Sequence, residues 1–176
     1  VEVVYEDQGE PFRMEAGDCV LQPPEIRHRV LRSSPGLEVI EVGCPAEHDT
    51  LADHDLELPT ASVDSERDFG GQRFVRHIAG DASRTAWMDS SLVVRDTGIG
   101  RATDGLAGAV VVATGADPAS TVLTHEGEFV LLVGLAGDAV LDVDGRPVKL
   151  TPRTSIAIPA GTKWCRSTHG PDHEAL

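Results

Sequence analysis

The chain has 176 residues, 40% of them hydrophobic and 25% charged, with a formal net charge of −14. This length and composition allow one domain or two small ones with a real core, and no apolar run approaches the roughly 20 residues of a membrane helix. The acidic balance, with Lys149 and Lys163 as the only lysines, argues against a nucleic-acid or anionic-membrane partner, because phosphate binding needs clustered Lys and Arg.

In chain order, residues 1–5 read as a strand and Asp7-Gln8-Gly9 as a turn. The opening Val1-Glu2-Val3-Val4-Tyr5-Glu6 has no basic region and no secretory pattern. It reads as the middle of a strand pair, so the first structural unit is expected to be incomplete at its N-terminus. Residues 11–15 form a second predicted strand, and Gly17-Asp18 turns the chain into another at 19–21. Residues 28–31 follow, then a Ser33-Ser34-Pro35-Gly36 turn and a strand at 37–42 carrying Leu37, Val39, Ile40 and Val42. The stretch from 45 to 71 is polar and unpatterned and predicts an ordered linker, with an exit through Cys44-Pro45. Residues 72–77 alternate and are expected to enter the second half. Further short runs at 109–113, 120–125, 129–135, 139–143, 148–150 and 155–158 are separated by Gly and Pro. No stretch keeps helical spacing for three turns. Many short strands at regular spacing predict an all-β antiparallel sandwich or barrel.

The chain also repeats itself at an offset of 136 residues. Pro23 falls on Pro159, His28 on Trp164, Gly9 on Gly145 and Pro11 on Pro147, while Val1 falls on Gly137. The second copy therefore carries a preceding segment, containing His125 and Glu128, that has no partner in the first.

Three features together resemble the cupin superfamily. They are Gly17-Asp18-x4-Pro23-x4-His28, its altered repeat from Arg153 to Trp164 with Pro159-Ala160-Gly161, and Leu123-Thr124-His125-Glu126-Gly127-Glu128-Phe129. The resemblance implies two jelly-roll barrels of the double-stranded β-helix type. Residues 1–44 would be the C-terminal part of the first barrel, 45–71 the linker and 72–176 the second barrel. It also implies three histidines and one glutamate around a divalent metal, commonly iron, manganese, nickel or zinc. In the second half, Leu123 takes the first histidine position, His125 the second and Trp164 the last. Glu128 matches the glutamate best, with Glu126 as the other candidate. Two remaining ligands are too few for a stable transition-metal site, so the second barrel is expected to be metal-free. Leu123 and Trp164 are expected to line its interior as packed core or an apolar pocket. In the first half, His28 matches the last histidine and is either a metal ligand, its fellow ligands falling before Val1, or a barrel histidine hydrogen-bonded to a neighbour.

Other residues weigh less. His48 and His54 sit among Glu47, Asp49, Asp53 and Asp55 without compact ligand spacing and read as loop side chains, or as the lining of a barrel mouth. His77, His169 and His173 read as surface residues, and Arg73 and Arg76 as partners of nearby acids. Gly98-Ile99-Gly100 lacks the remaining glycines of a dinucleotide fingerprint. Cys19, Cys44 and Cys165 have no CxxC spacing and predict free, mostly buried thiols in a reducing, cytoplasmic setting.

The leading functional expectation is a metal-dependent oxygenase of the dioxygenase type, acting on a small organic molecule through the first barrel. The alternative is a degenerate, non-catalytic bicupin that binds a small molecule or serves as a dimerising scaffold. A homodimer is expected on either reading.

Overall fold

The computed structural model describes residues 1–176 except 45, 46, 48, 50, 88, 116–120 and 171, and for 87 and 89–91 it describes the backbone only. The chain is nearly all β, its strands paired antiparallel, and it divides into two compact units. The first comprises Val1–Gly80 with Ile99–Ala107, and the second Asp81–Gly98 with Gly108–Leu176.

The first unit contains β1 (Glu2–Tyr5), β2 (Phe12–Arg13), β3 (Cys19–Leu21), β4 (His28–Arg32), β5 (Val75–His77) and the short helix α1 (Ile99–Ala102). Its sheets run β2-β1-β4 and β3-β5. Val3 pairs with Phe12 and Tyr5 with His28. The second unit contains β6 (Thr85–Trp87), β7 (Asp89–Asp96), β8 (Val110–Thr114), β9 (Phe129–Ala136), β10 (Ala139–Val143), β11 (Arg146–Leu150), β12 (Ser155–Pro159), β13 (Trp164–His169) and β14 (Glu174–Ala175). Its sheets run β11-β10-β13 and β12-β9-β14-β8-β7-β6.

The 136-residue offset is written into the backbone. It carries the sheet β2-β1-β4 onto β11-β10-β13, strand for strand. Three pairs of equivalent positions share the left-handed conformation: Gly9 and Gly145 at φ 79° and 77°, Gly17 and Arg153 at 92° and 68°, Glu25 and Gly161 at 65° and 74°. The turn before β3 recurs as the turn before β12. Asp18 Oδ2 accepts the Glu15 N–H at 2.9 Å, and Thr154 Oγ1 accepts the Thr151 N–H at 2.8 Å. Asp and Thr differ in charge, but each offers a short side-chain acceptor to the same turn donor.

Each unit has its own core. In the first, Val3, Tyr5, Ile26 and Phe69 are buried, with Val1, Phe12, Met14, Val20 and Phe74 packed on them. In the second, Leu132, Leu141, Leu150, Ile158, Trp164 and Ala175 are buried, with Val112, Leu123, Val130, Val143 and Ile156 around them.

Four sequence expectations change. Residues 37–42 form no strand, and Leu37, Val39, Ile40 and Val42 are all exposed, because an alternating run becomes a strand only where a neighbour takes up its hydrogen bonds. Residues 121–125 supply only an isolated bridge, Leu123 to Trp164, and Ser120 lies outside the described residues. Strand β5 does not open the second half but pairs with β3, so the first unit runs on to Gly80. The polar stretch expected as a linker is bonded into the first unit from Asp53 onward, and Phe69 joins that unit's core. Among the described residues no helix is long and apolar enough to cross a membrane.

Candidate functional site

Strands β1 and β4 bring Tyr5 and His28 opposite one another. The ring of His28 lies on that of Tyr5 with centroids 5.2 Å apart and planes at 17°. On its other side Tyr5 stacks on Phe12 at 5.9 Å, also at 17°, and Phe74 tilts against Tyr5 at 4.7 Å. The Arg76 guanidinium caps the far end, 4.0 Å from the centroid of Phe12, and donates to the Arg13 carbonyl at 3.4 Å. The result is a ladder, Arg76–Phe12–Tyr5–His28, with exposed side chains at both ends and Tyr5 only 2% exposed in the middle. Gln22 Nε2 donates to the Tyr5 hydroxyl at 2.8 Å. Burial pushes that hydroxyl above its ordinary 10 despite the Gln22 bond, so it stays a neutral phenol. Among the described residues the two ring nitrogens of His28 make no hydrogen bond.

Behind this face lies a charge cluster. Glu6 is 3% exposed. Arg27 grips it with Nε at 2.9 Å and Nη2 at 2.6 Å, and Arg67 Nη1 adds a contact at 2.8 Å. The Arg27 hydrogen bonds, aided by Arg67, hold the Glu6 carboxyl down to about 2. Arg67 also reaches Asp7 at 2.7 Å, and Arg27 reaches Asp53 at 2.9 Å. Thr60 Oγ1 accepts the Asp7 N–H, and Ser62 Oγ donates to the Asp7 carboxylate. The turn at Glu6-Asp7 thus anchors both His28, through its neighbour Arg27, and the polar stretch from Asp53 to Arg67.

The second unit's motif residues are arranged differently. Trp164 is 8% exposed within the core, and Leu123 packs beside it, exchanging backbone hydrogen bonds with it at 2.8 and 3.0 Å. His125 Nε2 donates to the Ile158 carbonyl at 2.9 Å, which fixes its tautomer and leaves Nδ1 buried without a partner. Glu126 and Glu128 are both exposed.

The family's metal site requires several ligands around one point. Among the described residues, no group of three or more His, Cys, Asp or Glu side chains converges in that way. His125 has no acidic neighbour turned inward, Leu123 and Trp164 cannot ligate, and His28 has only aromatic company. Among the described residues the implied set of three histidines and one glutamate is therefore not brought together.

Several minor expectations resolve as well. His77 and His173 are buried, at 8% and 3% exposure, and His169 is half-buried, contrary to the surface placement. His77 ends β5, where it pairs with Cys19, His169 ends β13, and His173 lies just before β14. His54 is exposed, and His48 lies outside the described residues. Arg73 approaches Glu66 at 4.0 Å, whereas Arg76 takes the ring of Phe12 instead of an acid. None of the three cysteines is in a disulfide, and Cys19 and Cys165 are half-buried while Cys44 is exposed.

The ladder's members other than His28 escaped the sequence reading. The available signal was composition. Tyr5, Phe12, Phe69 and Phe74 are most of the chain's few aromatic side chains, and all lie in its first 74 residues.

Neither a family model nor a curated protein matches the chain. Solved structures similar to it include KdgF from Halomonas sp., at 15% identity over 56% of this chain and 86% of that one, with a TM-score of 0.44. Streptomyces PAC13 with uridine is similar at 14% identity over 56% of this chain and 75% of that one, with a TM-score of 0.31.

Proposed function

We propose that the chain is a cupin-type protein whose first unit binds a small, planar organic molecule, and whose second unit is a packed structural barrel. The repeated sheet and its shared turns support the cupin reading. The observation that carries the binding reading is the Arg76–Phe12–Tyr5–His28 ladder. An exposed ring stacked on a buried one offers its free face to another flat molecule, and such stacking contributes about 0.5–1.5 kcal/mol beyond area burial. Arg76, over the face of Phe12 at the opposite end, helps to hold the stack in place. The buried Tyr5 and the Glu6 cluster hold the ladder in one geometry, which lowers the ordering cost of binding.

Calorimetric titration with benzoate and 2-naphthoate tests this. Binding is expected, tighter for the larger ring system, and weakened roughly tenfold, equivalent to 1.4 kcal/mol, in His28→Ala. Binding that this substitution leaves unaltered would refute it.

A second reading keeps the metal-dependent oxygenase, with His28 as one ligand. Its support is the pair of ring nitrogens on His28 that carry no hydrogen bond among the described residues. Elemental analysis of protein purified without chelator or affinity-metal columns separates the two. Near-stoichiometric iron, manganese, nickel or zinc, lost in His28→Ala, favours the enzyme.

A further inference from the structure

The sheet β11-β10-β13 turns one face to the second unit's core, marked by the buried Ala139, Leu141 and Leu150. Side chains alternate along a strand, so Val140 and Lys149 stand on the opposite, outer face. The register sets Val140 between Lys149 on one side and Thr168 on the other. Cross-strand partners share a face. An ammonium group, an aliphatic side chain and a hydroxyl therefore form one row across the sheet. In β13 the register shifts between Val140 and Leu141, and beyond this bulge His169 pairs with Ala139. His169 Nδ1 donates to the Gly170 carbonyl at 3.0 Å, with Thr114 Oγ1 3.2 Å away. The Gly170 N–H in turn donates to the Asp138 carbonyl at 2.9 Å. These bonds fix the end of the sheet and hold Asp138 beside the row.

An open pocket of about 230 Å³ lies here, with Val140 and Ala139 beneath it, Lys149, Thr168 and Asp138 around it, and His169 and Gly170 at its end. That is room for roughly seven or eight water molecules at about 30 Å³ each. Its two charged side chains have opposite sign and are both exposed. Among the described residues, neither is in an ion pair, with the other or with any third group. For Lys149 this is not for want of acids, since Asp and Glu number 29 against 15 Lys and Arg. A simple anion in the pocket would meet repulsion from Asp138, and a simple cation would meet it from Lys149. A molecule carrying both charges on a short methylene chain satisfies both, and lays its apolar middle on Val140.

We propose that this pocket binds a small zwitterion, an amino acid with its charges a few methylenes apart, whose carboxylate lies between Lys149 and Thr168 and whose ammonium group meets Asp138. The pocket shares no residue with the ladder of the first unit, and it leaves the packed interior of the second unchanged.

A titration of the whole chain with 4-aminobutyrate, followed by backbone amide NMR resonances, tests it. Butyrate and butylamine serve as the two halves of the same molecule. The zwitterion should bind about tenfold more tightly than either half, with saturable shifts at Val140, Thr168 and Gly170. Lys149→Met should weaken 4-aminobutyrate about tenfold and not weaken butylamine. Asp138→Asn should weaken it about tenfold and spare butyrate. Both side chains are exposed, and the unshifted remainder of each spectrum reports an intact fold. His28→Ala should bind 4-aminobutyrate as the unmodified chain does, which separates this outcome from the fate of the ladder. An absence of saturable shifts with 4-aminobutyrate would overturn the proposal. Equal affinity for the zwitterion and its halves would overturn it as well, and so would binding that neither Lys149→Met nor Asp138→Asn weakens.

Discussion

His28 and Trp164 occupy the same place in the repeat, each at the start of the strand that flanks the central one, β4 beside β1 and β13 beside β10. Yet His28 is exposed while Trp164 is 8% exposed. The difference lies in the neighbouring edge. In the second unit, Leu123 bridges to Trp164 and His125 accepts the Gly161 N–H at 3.0 Å, so the segment at 123–125 roofs the start of β13. In the first unit, no described residue takes that place. A shared local sequence thus sets the strands and turns, while the cover on an edge decides whether a motif position becomes core or surface. A tryptophan suits the covered position, because burying its large ring gains hydrophobic free energy. A histidine suits the open one, where its ring nitrogens stay in water.

The largest expected consequence follows from that pair. Trp164→Ala should cost about 3–5 kcal/mol, as for other large buried aromatic side chains, whereas His28→Ala should cost no more than about 1.5 kcal/mol, the scale of a ring stack. Chemical denaturation of the two variants measures both. Equal losses would erase the distinction between the units.

The first unit should fail first in acid. Its Glu6 carboxyl, held at about 2 against an ordinary 4.5, binds its proton more weakly folded than unfolded. The corresponding stability is present above about 4.5 and is lost as the pH falls from there towards 2. That amounts to about 3 kcal/mol at 1.4 kcal/mol per pH unit. Glu6→Gln should lower stability by a similar amount at neutral pH and flatten the profile in this window. Denaturation melts from pH 6 to pH 2 would show it, and an unchanged profile in the variant would contradict it.

A smaller effect separates equivalent turns. Gly17 and Arg153 both take positive φ. Gly17→Ala should therefore cost about 1 kcal/mol, the penalty for a side chain in the left-handed region, while Arg153→Gly should be neutral or slightly stabilising. Midpoints from thermal melts compare the two.

The slightest is a slope confined to the second unit. Burial, with Arg166 next and His169 adding to it, holds His173 below its ordinary 6.5. A histidine kept neutral in the fold gives stability that is present above 6.5 and is lost as the pH falls below it. His173→Gln should remove this slope, read from melts between pH 7.5 and 5.5.

Much of the strand order was legible because turn chemistry is local. Gly9, Gly17-Asp18 and Pro23 mark the ends of strands by their own conformational preferences, and the repeat extends that reading to Gly145, Arg153 and Pro159. What depended on partners was not legible. Residues 37–42 have the composition of a strand but no neighbour to pair with. Strand β14, two residues long, is held between β8 and β9 by their hydrogen bonds and not by any pattern of its own. Of the candidate site, the sequence marks His28. Its setting depends on the register that places Tyr5 opposite it and on Arg76 in β5, with Phe74 just before it, arriving from far along the chain. The salt-bridged Glu6 was hidden for the same reason, since its partners Arg27 and Arg67 become neighbours only in the folded unit.

The most direct test is to map where an aromatic carboxylate binds, following backbone amide NMR resonances of the whole chain during a benzoate titration. The account predicts saturable shifts at Tyr5 and His28, with Leu123, His125 and Trp164 unmoved. Shifts centred on Trp164 and His125, with the first unit silent, would contradict it and place the binding function in the second unit.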